Sequence, residues 1–184
     1  RAARLSAHLS EPFAEIHPKD AENLGIEDGH IVELSSPYGR ILVRALITYR
    51  QKKGHIFVPM HWTDQFASGS RVNSLLPPVT DPIPGQPASK NAPISAKKCP
   101  AEIVLFLLTG NKPALPRDDY WASVESKGGW RTEVAGKADI LKDIASLKSL
   151  LSITTEAEPL IYEDKKLGQT RIVWFEDGKI DAVL

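Results

Sequence analysis

The sequence predicts a mainly β protein with short helices, in which a small closed sheet is followed by an α+β extension. Three observations carry this. Between Phe13 and Met60, brief apolar runs alternate with turn signals at close spacing, a pattern that favours a barrel over a layered βαβ fold. From His61 to Lys90 the chain carries five prolines and few long apolar side chains. Beyond Asn111, aromatic, glycine and charged residues interleave ahead of one amphipathic stripe.

Phe13–Ile16 reads as the first strand. Pro18 through Leu24 reads as one or two helical turns, with proline at a first helical position, acids in the opening turn and Gly25 as the left-handed stop. His17, just before it, is expected to act as a cap or a packed imidazole. Asp28-Gly29 and Pro37-Tyr38-Gly39 are turn signals on either side of a strand over His30–Ser35. In Arg40–Thr48, Ile41, Val43, Ala45 and Ile47 share one face. A polar turn then leads to the strand Ile56–Met60. After the long loop, Ala92–Ser95 and Ala101–Leu108 are expected to return to the barrel, so the first domain is placed at 1–110. The extension, 111–184, contains Tyr120-Trp121 and Trp130, then a helix over Ala138–Leu151 with Ile140, Leu141, Ile144, Leu147, Leu150 and Leu151 on one stripe. A hairpin pairs Glu158–Tyr162 with Thr170–Phe175 across Lys165–Gly168, and a turn at Asp177-Gly178 leads into Ile180–Leu184. That last run reads as an unfinished strand, and the chain as a segment of a longer protein.

Composition removes several function classes. The 184 residues are 42% hydrophobic, with 23 basic and 23 acidic side chains. No basic stripe marks a nucleic-acid surface, and no apolar run approaches the ~20 residues of a membrane span. The single cysteine, Cys99, allows no internal disulfide, iron–sulfur cluster or cysteine-rich zinc site from this chain alone. It reads as a structural thiol and fits a cytoplasmic setting. The histidines show no metal-ligand spacing, and no nucleophile elbow, Walker loop or dinucleotide fingerprint is present.

The His61–Lys90 segment is the candidate site. Its prolines remove backbone donors and fix φ, so neither helix nor regular strand is expected there. A long segment of this kind is functional or disordered. Asn73 and Gln86 offer paired donor and acceptor groups suited to the edge of a purine-like or pterin ring. Lys90 offers a point charge for phosphate, Trp62 a flat wall with one donor, and His61 a donor or acceptor. Together they suit a large, planar, anionic ligand such as a nucleotide-bearing cofactor. The other reading is a solvated, proline-rich surface loop.

The run PFAEIHPKDAENLGIEDGHIVELSSPYGRILVRALIT, then HIFVPMHW, then Asn73 through DPIPGQPASK, resembles the C-terminal molybdopterin-dinucleotide-binding domain of the dimethyl-sulfoxide-reductase superfamily, which includes nitrate reductases and formate dehydrogenases. The resemblance covers roughly residues 4 to 98. It implies a six-stranded double-psi β-barrel that holds a bis(molybdopterin guanine dinucleotide) molybdenum cofactor. ARLSAHLSEPFAEIHP, PMHWTDQFAS and DP-x-x-GQP-x-x-K are most similar to bacterial assimilatory nitrate reductases, and DDYWASVESKGGWRTEVAG with the downstream hairpin is similar to the extension those enzymes carry. By resemblance, Asn73 and Lys90 contact the cofactor, Gln86 and Pro87 line its loop, and His61 and Trp62 face the active-site funnel. The family's first barrel segment would lie before residue 1, with Arg1–Leu5 as its tail. The molybdenum ligand and the [4Fe-4S] cysteine motif belong to other domains of the parent. The chain is therefore expected to be inactive alone, with those domains and an electron donor as partners.

The alternatives are the same domain in a formate dehydrogenase or other oxyanion reductase and, in another class, a double-psi-barrel interaction module. Trp121, Trp130 and Trp174 motivate a donor-docking surface in the extension. The competing expectation is that they fill a satellite core.

Overall fold

The computed structural model describes residues 10–115, 119–138, 143–153 and 156–184. Arg1–Leu5, His8, Ile140 and Leu141 lie outside them. Among the described residues the protein is mainly β with two short α-helices, and the chain divides into a first unit ending at Pro100 and a second from Ala101 to Leu184.

In the first unit, β1 (Phe13–Ile16), β2 (Ile31–Ser36), β3 (Gly39–Ile47), β4 (Ile56–Phe57) and β5 (Ser95–Lys98) form one sheet in the order β4-β1-β3-β2-β5. β1 runs parallel to β3, and the other pairs are antiparallel. Helix α1 (Pro18–Leu24) begins where the His17 imidazole accepts the Lys19 N–H at 3.0 Å, and it ends at Gly25 with φ 64°. His17 is thus a cap, and its ring also meets Tyr49 edge-on at 5.5 Å. Ala14, Ile16, Val32, Leu34, Ile41, Val43 and Ala45 meet in the core with Leu75 from the long loop. The alternation read in β3 is therefore the face that is buried.

Near its surface this unit is held by charge. The Glu15 carboxylate, nearly buried, accepts from the Arg50 guanidinium and from the Gln51 amide at 2.6 Å. Arg44 pairs with Glu11 at 2.6 Å and donates to the Gly29 carbonyl at 2.8 Å. Such bonds tie the sheet to its turns, because a carboxylate withdrawn from water needs donors.

Among its described residues the second unit has a six-stranded sheet, β7-β8-β6-β11-β10-β9, and one α-helix. Its strands are β6 (Ile103–Thr109), β7 (Tyr120–Ser126), β8 (Gly129–Gly136), β9 (Leu160–Asp164), β10 (Gln169–Glu176) and β11 (Lys179–Val183). Three expectations change here. The strand expected to return to the barrel, β6, instead pairs along its length with β8 and at its end with β11. Its alternation identifies a half-buried strand but carries no address for the partner. The Tyr120–Gly136 stretch, to which no strand was assigned, is a hairpin joined at Lys127-Gly128. Of the expected helix over Ala138–Leu151, residues 139–142 lie outside the described residues; α2 (Ile144–Leu150) starts after an extended Asp143, which caps it by accepting the Ser146 N–H at 2.7 Å.

The core of this unit is Leu105, Leu107, Val134, Leu147, Leu151, Ile172, Trp174, Ala182 and Leu184. Trp174 is fully buried, so it belongs to no docking surface. Trp121 packs against that core, and the Lys112 ammonium lies 5.9 Å from its ring and 5.0 Å from that of Trp130. These aromatics pack and hold a cation, as large rings commonly do.

Candidate functional site

The long loop is more ordered than its proline content predicts. Val72–Leu75 forms a 3-10 turn, and Thr80 bridges Pro87 in a small hairpin of its own. In that hairpin the Asp81 N–H donates to the Gln86 carbonyl at 2.8 Å, and the Ala88 N–H to the Val79 carbonyl at 3.0 Å. Asp81 also accepts the Ile83 N–H on its side chain at 2.9 Å, which tightens the proline-rich tip. Each proline took away one donor, and the residues between them supply the bonds. The expectation that no regular structure survives is thus corrected for two short pieces.

Three contacts fasten this loop to the sheet. Leu42 in β3 donates its N–H to the Gly69 carbonyl at 3.0 Å. Leu75 enters the core. Gly39, where β3 begins, lies so close to the 3-10 turn that a Cβ there would meet the Ser74 carbonyl oxygen at 2.6 Å. Only glycine permits that approach, so the turn signal read at Gly39 also serves to seat Asn73. Farther out, Arg71 pairs with Asp64 at 2.9 Å.

Beneath the loop is a cleft of about 360 Å³. Phe57, Val58, Pro59 and Met60 form one wall as the chain leaves β4, and His61 continues it. Lys90, Ser89 and Asn91 close it from the other end of the loop, over the apolar floor of Val72, Leu75 and Ile94. The β4 strand is only two residues long, shorter than expected, since Val58 to Met60 leave the ladder with β1 to line this cleft. Phe57 and Met60 remain 48% and 53% exposed. A cleft lined by an apolar stretch and by a lysine suits a ligand that is flat at one part and anionic at another.

The expected site residues separate into two groups. His61 and Lys90, 29 positions apart in sequence (90 − 61), line the same cleft. Trp62, Asn73, Gln86 and Pro87 do not line it. Asn73 is exposed on the 3-10 turn and uses its carbonyl to accept the Leu76 N–H at 3.2 Å. Gln86 and Pro87 are exposed in the small hairpin, whose tip residue Ile83 is 93% exposed. Asn91 and Ser89 were not singled out from sequence, although both adjoin Lys90. Asn91 also lines a neighbouring cleft of about 850 Å³ together with Asp20, Asn23 and His55, so it belongs to both clefts. Among the described residues no cluster of His, Cys, Asp or Glu could hold a metal ion. No helix among them is long and apolar enough to cross a membrane.

Residues 1–93 match the family model described as "Molydopterin dinucleotide binding domain". The chain is 35% identical over 133 residues to a nitrate reductase of Klebsiella oxytoca, covering 72% of this chain and 15% of that protein. It is 38% identical over 90 residues to the assimilatory nitrate reductase catalytic subunit of Bacillus subtilis, covering 49% and 12%. It is 37% identical over 82 residues to the F420-dependent formate dehydrogenase 1 subunit alpha of Methanococcus maripaludis, covering 45% and 11%. The chain thus spans a small fraction of the length of these relatives. With half of its residues inside the family model and the anchored loop and cleft at their end, the chain belongs to the molybdopterin dinucleotide-binding domain family.

Proposed function

We propose that this chain is the cofactor-holding domain of a molybdenum-dependent assimilatory nitrate reductase, and that it grips the dinucleotide end of a bis(molybdopterin guanine dinucleotide). The observation that carries the nitrate assignment is the reach of the Klebsiella match. Its 133 residues exceed the first unit, so at least 33 of them (133 − 100) fall in the second. The formate dehydrogenase match, at 82 residues, is shorter than the first unit alone. The same domain in a formate dehydrogenase is the second reading, favoured by that match at 37% identity.

The residues present fit the group. The apolar stretch Phe57, Val58, Pro59 and Met60 accommodates a flat ring system, and Lys90, which lines the same cleft, carries a charge that suits a diphosphate. His61 and Asn91 supply hydrogen-bonding groups on the same walls. Asn73, Gln86 and Pro87, carried on the anchored loop, supply further contacts once a ligand longer than the cleft lies across it. When bound, the molybdenum cofactor supplies the oxygen-atom transfer, and the chain contributes binding, orientation and charge. Lys90 neutralises the anionic end, and the apolar wall excludes water and strengthens that pairing. Nitrate as substrate, the double-psi closure by a further strand, a cytoplasmic location, the electron donor and a [4Fe-4S] cluster in other domains are parts of the same proposal.

In the full-length parent, Lys90→Ala is expected to lower molybdenum content and nitrate turnover while the domain still folds. Wild-type metal content and rate would refute the assignment of Lys90. Assaying the parent with nitrate against formate separates the two enzyme readings.

A further inference from the structure

Among the described residues the two sheets are bounded by β4 and β5 and by β7 and β9. An open, apolar edge strand attracts another strand, and proteins guard such edges with shortness, lysine or proline. β4 pairs for only two residues before it leaves the ladder, and β5 carries Lys97 and Lys98. β7 packs Tyr120, Ala122 and Ser123 into its unit. β9 differs from all three. Its five residues, Leu160-Ile161-Tyr162-Glu163-Asp164, hold no lysine or proline, and the first three are 66%, 52% and 58% exposed.

The ladder shows which backbone groups β9 has left. Ile172 in β10 exchanges both its backbone bonds with Leu184, at 2.8 and 2.9 Å, so its N–H and C=O turn away from Ile161, its partner on β9. Direction alternates along an antiparallel strand, so Arg171 and Val173 bond Tyr162 and Leu160. Ile161 and Glu163 are left with N–H and C=O directed outward, and neither has another backbone partner among the described residues. Their side chains share the face of the buried Ile172. On the opposite face a cleft of about 310 Å³ opens among Leu160, Tyr162, Arg171 and Val173. Charge beside this edge has one sign. Glu156, Glu158 and Glu163 are exposed, and no lysine or arginine stands from 156 to 164. Asp164 is turned inward, accepting the Lys166 and Leu167 N–H groups, and Arg171 stands with the Tyr162 ring, 6.0 Å away, on the other face from Glu163.

We propose that β9 is a docking edge for an extended segment of a partner protein, added antiparallel and reading basic, apolar, β-branched apolar in succession. Every described pair in this sheet is antiparallel, so the segment passes Glu163 before Ile161. Its first side chain pairs with the Glu163 carboxylate across the strands. The second, opposite Tyr162, turns into the cleft beside Leu160 and Val173. The third, opposite Ile161, joins Ile161 and Ile172 at the rim of the core. The first and third exchange their backbone bonds with Glu163 and Ile161, and these supply affinity while the side chains select. A second copy of β9 fits badly in every register that uses those groups. Centring on Tyr162 sets Glu163 against Ile161, and centring on Glu163 opposes two carboxylates. Centring on Ile161 sets Glu163 against Pro159, which has no N–H.

The test is a titration of the 15N-labelled 184-residue chain, and of the full-length parent, with the end-blocked peptide Thr-Lys-Leu-Ile-Thr. Shifts are expected to concentrate on β9 and β10, with exchange of the Ile161 and Glu163 amides slowed at least ~tenfold at saturation, as newly paired strand amides require. The same peptide methylated on the backbone nitrogens of its lysine and isoleucine keeps every side chain and is expected not to bind. Glu163→Lys should weaken the first peptide by about fivefold, and a peptide with glutamate in place of lysine should restore the affinity. No binding at millimolar peptide, undiminished binding of the methylated form, or indifference to Glu163→Lys overturns the proposal. So does exchange that slows with chain concentration alone, which would mean that a second copy takes the edge. A parent whose Ile161 and Glu163 amides are already protected and which binds no peptide overturns it as well, since the edge is then occupied within the parent.

Discussion

Among the described residues, ten buried side chains form the core cluster of the first unit and nine that of the second, so each unit has a core of its own. They differ in where they place what the core cannot use. The first unit sends thirty residues, His61 to Lys90, out of the sheet and pins them back at Gly69, Ser74 and Leu75. Its polar groups then sit on a loop whose base is rigid, over a cleft with an apolar wall. The second unit connects its strands β7–β8, β9–β10 and β10–β11 by short turns, and it buries Trp174 and Tyr120 and packs Trp121 against its core, leaving Phe106 and Tyr162 exposed. The lesson is that a binding surface needs a long connection anchored to the sheet, whereas a short-turned sheet leaves no such connection and commits Trp174 and Tyr120 to its interior.

The largest expected effect that breaks this contrast lies in the second unit. Trp174 is completely buried, and Trp174→Ala should destabilise that unit by about 3–5 kcal/mol. Denaturant unfolding followed by NMR should show the loss in β10 and β11 amides, with the cleft amides of the first unit unchanged. Equal loss in both units would deny that each holds its own core. Next in size is Lys90→Ala, which removes a charge-assisted contact of about 1.5–3 kcal/mol. GDP, standing for the guanine diphosphate end of the cofactor, should bind at least tenfold more weakly by titration calorimetry, with unaltered unfolding.

Gly39→Ala sharpens the claim that the loop is seated by the sheet. The added methyl meets a backbone oxygen, so the 3-10 turn must shift at a cost of roughly 1–3 kcal/mol. Amide shifts from Val72 to Leu76 would register it, and GDP affinity should fall although Gly39 is not in the cleft. The smallest effect is a titration. Hydrogen bonds from the Ser146 N–H and then its hydroxyl hold the Asp143 carboxyl below its ordinary range. A lowered folded-state pKa means that this cap stabilises α2 fully above the ordinary carboxylate pKa, and that the contribution is lost as pH falls through the lowered value. Ser146 amide shifts should follow that titration, and Asp143→Ala should abolish it.

Where signals are local, the sequence was informative. Phe13–Ile16 and Pro18–Leu24 with its Gly25 stop have the bounds expected, because caps, proline and turn residues act within a few positions. The hairpin across Lys165–Gly168 was legible for the same reason. Ala101–Leu108 was read as a strand and β6 covers Ile103–Thr109, but its sheet was not legible, since alternation specifies a face and not a partner. Tyr120–Gly136 alternates too, yet its glycines and charges masked the pattern. In the site, His61 and Lys90 were placed together by residue type and motif. Asn91 was missed because a lone amide beside a proline-rich run carries no periodic signal. The positions of Asn73 and Gln86 depend on how the loop folds on itself, which no spacing encodes.

The central claim is that anionic, planar chemistry belongs to the first unit alone. Titrating the uniformly 15N-labelled chain with GDP tests it most directly. The account predicts shifts concentrated on His61, Ser89, Lys90 and Asn91, extending to Asn73 and Gln86, absent in Lys90→Ala and absent from Ala101–Leu184. Shifts centred on the second unit, or no shifts at millimolar GDP, would contradict it.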